Sequence, residues 1–163
     1  MPEQLLRSTP DAPWLPPGGR ADVVRSAVAP APTGLVRLLV RHGDAVFCTA
    51  RDDGRLDLPT RAVPAADAHG SVTAARLVHD VLGAGTSAVP VGFVRNVVGA
   101  PAADYGWPAP LAHFTVWAAQ GTPRVAGEWV DVRAAGCVLR DRHWWPLLAV
   151  VSAEPRASRA PDR

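Results

Sequence analysis

The clearest periodic signal in this chain is one helical repeat set between β-rich runs. Val72, Ala75, Val78 and Leu82 recur at the spacing of a single helix face. Ser71 stands where an N-cap is favoured, and Gly83 and Gly85 supply a stop, so a helix is expected over 72–82. Ahead of it, β-type runs at 35–41 and 45–50 flank the turn His42-Gly43-Asp44. Asp52-Asp53-Gly54-Arg55 makes a second turn before the short alternation Leu56-Asp57-Leu58, which ends at Pro59. Residues 60–70 lack a period and hold Pro64, Asp67 and Gly70, the marks of a loop. Strands are expected again at 89–98, 111–119 and 128–132, and a helix at 143–151. Strands, helix, strands, helix is the order of an α/β domain whose sheet carries helices on its faces.

A chain of 163 residues, 48% of them hydrophobic, is one domain's length and can bury a core. Residues 1–33 hold seven of the 17 prolines and read as a partly ordered lead. The domain is then expected over 34–153, with 154–163 as a solvated tail. All 17 basic residues are arginine, and lysine and isoleucine are absent. That pattern suits a GC-rich bacterial genome, so the arginine content says little about function. A net charge of +2 without a basic block argues against a nucleic-acid surface. Cys48 and Cys137 lack metal-type spacing and read as two buried thiols in a reducing cytosol. The start carries no signal-peptide pattern, and no run approaches the ~20 apolar residues of a membrane span. A cytoplasmic protein is expected.

Residues 57–85 read DLPTRAVPAADAHGSVTAARLVHDVLGAG. This resembles the box of the Nudix hydrolases, in which a strand ends in L-P-G-G, a loop carries a glutamate, and a helix reads A-x-R-E-L-x-E-E-x-G. Leu58-Pro59 matches the strand end, Ala74-Ala75-Arg76 the helix start, Val78 the apolar position and Gly83 the closing glycine. Asp80 stands at the first of the paired glutamates, and Asp67 at the loop glutamate if one extra residue follows it. The resemblance implies an α/β/α sandwich with one mixed sheet, covering about residues 35–152. It also implies Mg²⁺-dependent hydrolysis of a diphosphate link, with Arg76 and Asp80 in the catalytic helix and Asp67 and Asp80 as metal ligands.

The departures bear directly on that chemistry. Thr60 and Arg61 replace the two glycines, Leu77 replaces the glutamate after the arginine, and Val81 the second paired glutamate. The only glutamates are Glu3, Glu128 and Glu154, so no shift of alignment restores an acid from that class. Splitting a diphosphate at neutral pH needs cations on the phosphate oxygens and a base for the water. Loss of a general base costs about 10²–10⁴ in rate. Aliphatic side chains supply neither role. In the structural alternative, Arg76 and Asp80 form an ordinary i,i+4 pair and Asp67 is a loop residue facing water.

Outside the box, Gly92-Phe93-Val94-Arg95-Asn96 followed by Asp104-Tyr105-Gly106-Trp107-Pro108 has the makings of a nucleobase platform. Tyr105 and Trp107 would stack, and Arg95 or Arg61 would meet phosphate; the alternative is that the two rings cap the core. Arg142-His143-Trp144-Trp145-Pro146 reads as the anchored start of the last helix. His42, His69, His79, His113 and His143 show no H-E-x-x-H spacing, and no nucleophile elbow, P-loop or dinucleotide fingerprint occurs. Three readings stay open. The first is a divergent Nudix protein that binds a nucleotide- or diphosphate-like small molecule with hydrolysis lost or weakened. The second is an active Mg²⁺ enzyme using Asp67 and Asp80. The third is a non-enzymatic protein-interaction domain. A homodimer is compatible with each, and none calls for nucleic acid or membrane.

Overall fold

In chain order the elements are β1 (Gln4–Thr9), β2 (Arg20–Arg25), β3 (Thr33–His42), β4 (Ala45–Ala50), β5 (Leu56–Asp57), β6 (Thr60–Ala62), α1 (Ser71–Leu82), β7 (Ala88–Val97), β8 (Leu111–Ala119), β9 (Glu128–Asp131) and α2 (Pro146–Val151). The computed structural model describes residues 2–151, so the tail expected at 154–163 lies outside the described residues. The sheet runs β1-β2-β7-β8-β3-β4-β5, with β6 added to β3 and β9 to β4. The β3–β8 pair is parallel and the other pairs are antiparallel, which makes the sheet mixed.

Strand β3 shows how sequence sets the layers. Its side chains alternate across the sheet. Val36, Leu38 and Val40 join the cluster under α1, whereas Leu39 joins the cluster that holds Trp144, Leu147 and Leu148. One helix therefore lies on each face. The turn between β3 and β4 takes two residues, with Gly43 at φ 60 in the first position, the conformation a tight hairpin of this kind favours.

Helix α1 buries Ala74, Leu77, Val78, Val81 and Leu82, an i, i+3, i+4, i+7, i+8 stripe. The stripe expected from Val72 and Ala75 is therefore rotated, and Val72 is 53% exposed. Ser71 is the first helical residue and makes no cap. Gly70 precedes it in the left-handed region (φ 73), and a Cβ there would lie 2.9 Å from side-chain carbons of both Thr33 and Val36. The helix start is held instead by Asp67. Its carboxylate accepts the Thr73 N–H at 2.7 Å, the Thr73 hydroxyl at 2.8 Å and the Val72 N–H at 3.4 Å.

Four elements differ from expectation. The proline-rich segment contributes β1 and β2; β2 pairs with β7 from Arg20↔Val97 to Arg25↔Gly92 and buries Val23 and Val24. The sheet thus extends well before residue 34. Residues 60–62 form β6 on β3 rather than loop. The last helix begins at Pro146 rather than His143, because proline fits a first helical turn, where its missing N–H costs nothing.

Candidate functional site

The α1 face carries the residues that the Nudix resemblance assigns to catalysis. Leu77 and Val81, at two of the glutamate positions, are 5% and 4% exposed and pack against β3. Arg76 is exposed and does not pair with Asp80. Asp80 meets Arg61 instead, with the guanidinium Nη2 donating at 2.6 Å, and His79 lies 3.4 Å away. That guanidinium, with His79 beside it, holds the Asp80 carboxyl below the usual aspartate range. For Asp67, burial pushes the pKa up, but the Thr73 N–H and hydroxyl, followed by the Val72 and Gly70 N–H groups, outweigh it.

Asp67 grips the first turn at Thr73, and Asp80 sits seven residues further along. At about 1.5 Å rise per residue that is ~10 Å of helix. Two ligands of one Mg²⁺, each at about 2.0–2.1 Å, do not fit that separation while both keep their present partners. Among the described residues, no group of three or more His, Cys, Asp or Glu side chains is arranged to hold a metal ion. The residues present do not fit the metal that the box implies.

The opposite face of the sheet is hollow. A cavity of about 520 Å³ opens over β3, β7 and β8, floored by Leu35, Arg37, Val94, Asn96 and Phe114. A cleft of about 460 Å³ continues from it past Arg51 and Asp57 toward Thr60. Tyr105 and Trp107 overhang the floor from the loop between β7 and β8, and Trp107 stands edge-on to Phe114 (ring centroids 4.9 Å, 90°). The Trp107 ring comes this close because residue 34 is glycine: a Cβ there would lie 2.9 Å from the indole. At another wall Trp14 stacks on His143 (4.2 Å, 28°).

Charge in the cavity is uneven. Arg37, Arg51, Arg55 and Arg142 line it, against Asp57, Asp104 and Asp141. Asp57 is 3% exposed and already occupied. Its Oδ1 accepts the Leu58 N–H at 2.8 Å and the Trp144 indole N–H at 2.9 Å, while Oδ2 lies 3.4 Å from Arg51 Nη1. Arg142 donates to the Leu56 carbonyl. Arg37 has no such anchor: among the described residues its Nε and Nη1 are buried without a hydrogen-bond partner, as is the Tyr105 hydroxyl. Burial pulls the Arg37 pKa down, and Asp57 opposes that pull. Burial, then Arg37, likewise holds His143 below the usual histidine value.

No protein-family model matches this chain, and no curated protein matches it. Of the four ligand residues expected from sequence, Tyr105 and Trp107 line the cavity; Arg61 and Arg95 do not. Arg61 is on the α1 side with Asp80. Strand alternation turns Arg95 away from Val94 and Asn96, and it reaches Asp22 at 3.3 Å and Glu3 at 3.6 Å. The cavity arginines are others, Arg37 above all. A signal for it existed: it is the one charge inside the apolar run 35–40, on the same strand face as Leu35 and Leu39.

Proposed function

We propose that this chain is a divergent Nudix-type domain that binds a nucleotide- or diphosphate-like ligand without hydrolysing it. The observation that carries the reading is the cavity, in which an aromatic wall at Tyr105 and Trp107 faces a set of arginines. Its volume of about 520 Å³ lies in the range of small-molecule sites. A flat base can stack on the rings while guanidinium groups take up phosphate charge. Loss of hydrolysis follows from Leu77 and Val81, which are committed to the core and cannot hold a cation or activate water. The one mixed sheet with a helix on each face is compatible with the Nudix resemblance. No helix among the described residues is long and apolar enough to cross a membrane, and Cys48 and Cys137 are free and buried, which supports the cytoplasmic reading.

The test is a panel of nucleoside monophosphates, diphosphates and diphosphate conjugates, with and without Mg²⁺ or Mn²⁺. A bound ligand at about 100 times its Kd stabilises the fold by about 2.7 kcal/mol, which raises melting by about 5–10 degrees. We expect such shifts with no product released. Turnover that depends on the cation and disappears in Asp80→Ala would establish the hydrolase instead. Silence in both assays would favour a protein-interaction domain.

A further inference from the structure

We infer that Arg37 is an oxyanion receptor at the floor of the cavity, so that a ligand enters charged end first and leaves its flat end against Trp107. This rests on the cavity being the ligand site and assigns the polarity of what it holds. Nε and Nη1 of Arg37 carry three N–H donors, buried and without a partner among the described residues. The hydroxyl of Tyr105, lining the same cavity, is a further buried donor with no partner among the described residues. A buried donor left unmatched costs stability, and two such groups in one hollow are best explained by an acceptor that is not part of the fold. The acidic neighbour that would neutralise Arg37 is Asp57, whose oxygens already serve Leu58, Trp144 and Arg51. Arg51, Arg55 and Arg142 add positive charge at the walls, offset in part by Asp104 and Asp141 and by the pairing of Arg55 with Asp53. The matching group is a phosphoryl or carboxyl oxyanion, either of which accepts several N–H donors at once.

If Arg37 were there to hold the fold together, an apolar residue between Leu35 and Leu39 would do it better, since replacing a buried charge with a packed aliphatic side chain is often neutral or stabilising. Asp57 would keep its own hydrogen bonds after that replacement. Arg37→Met should therefore melt a few degrees higher than the parent in anion-poor buffer. The parent should be stabilised by millimolar inorganic pyrophosphate, beyond a sodium chloride control of equal ionic strength. That response should fall at least 10-fold in apparent affinity in Arg37→Met, and partly in Arg37→Lys and Tyr105→Phe. Acetate and inorganic phosphate, run as separate arms, assign the group to the carboxyl or phosphoryl class. A lower melting point or failure to fold in Arg37→Met would overturn the inference, because Arg37 would then be a structural side chain. So would a pyrophosphate response unchanged in Arg37→Met and Tyr105→Phe. Nucleotide binding that persists in Arg37→Met would overturn the receptor while leaving the cavity reading intact. Pyrophosphate binding through Arg37 with every nucleotide inert would support the receptor and remove the nucleotide reading.

Discussion

At the scale of single residues, the two aspartates that the Nudix resemblance picks out have separate structural lives. Asp67 is a helix cap supplied from four residues before the first helical position. Asp67→Ala should cost about 0.5–2 kcal/mol, seen as a melting point lower by a few degrees. Its pKa is depressed on folding, so its contribution is fully present above the unfolded value near 3.8 and fades as pH falls through the folded one. Acid melting curves should accordingly be flatter below about pH 4 in Asp67→Ala than in the parent. Asp80 is exposed and pairs only at the surface, so Asp80→Ala should leave the melting point essentially unchanged. A marked loss there would mean that the Arg61 contact fastens β6 to α1.

At the scale of elements, α1 tests whether the acids that the Nudix resemblance calls for can be accommodated. Leu77 and Val81 sit with Val36, Leu38 and Val40, so glutamates there would be charges placed in a dry contact. The double variant Leu77→Glu, Val81→Glu should lose about 3 kcal/mol or more and melt at least ~6 degrees lower, with no gain in Mg²⁺ binding by calorimetry. Stability retained together with tight Mg²⁺ binding would show the metal site to be latent. The existence of α1, β7, β8 and the β3–β4 hairpin was legible in sequence because period and turn chemistry are local. That α1 carries no glutamate is read directly from the sequence. The rotation of the α1 stripe was not, since Val72 and Leu77 are equally apolar and only the position of β3 chooses between them. Strands β1 and β2 were hidden by Pro10, Pro13, Pro16 and Pro17, which lie in the connection between them. The role of Arg37 was hidden because its surroundings come from residues near 105 and 142, far along the chain.

At the scale of the whole molecule, the sheet has a protected centre and thin edges. Strand β8 is paired on both sides, by β7 and β3, whereas β1 is an edge and β5 is two residues long. Amide exchange should be slowest in β8 and β3 and fastest in β1 and β5, read by mass spectrometry of peptic fragments. Equal protection across the sheet would mean that it opens only as a unit. The central parallel pair also has a temporal consequence. Leu35 and Thr115, whose hydroxyl donates to the Leu35 carbonyl across that pair, are 80 residues apart. At about 5–20 residues per second, a ribosome takes roughly 4–16 s to make the distance between them. Through that interval the edge of β3 that faces β8 has no mate, although β6 is already made for its other edge, and the cell's holdases have that long to find it.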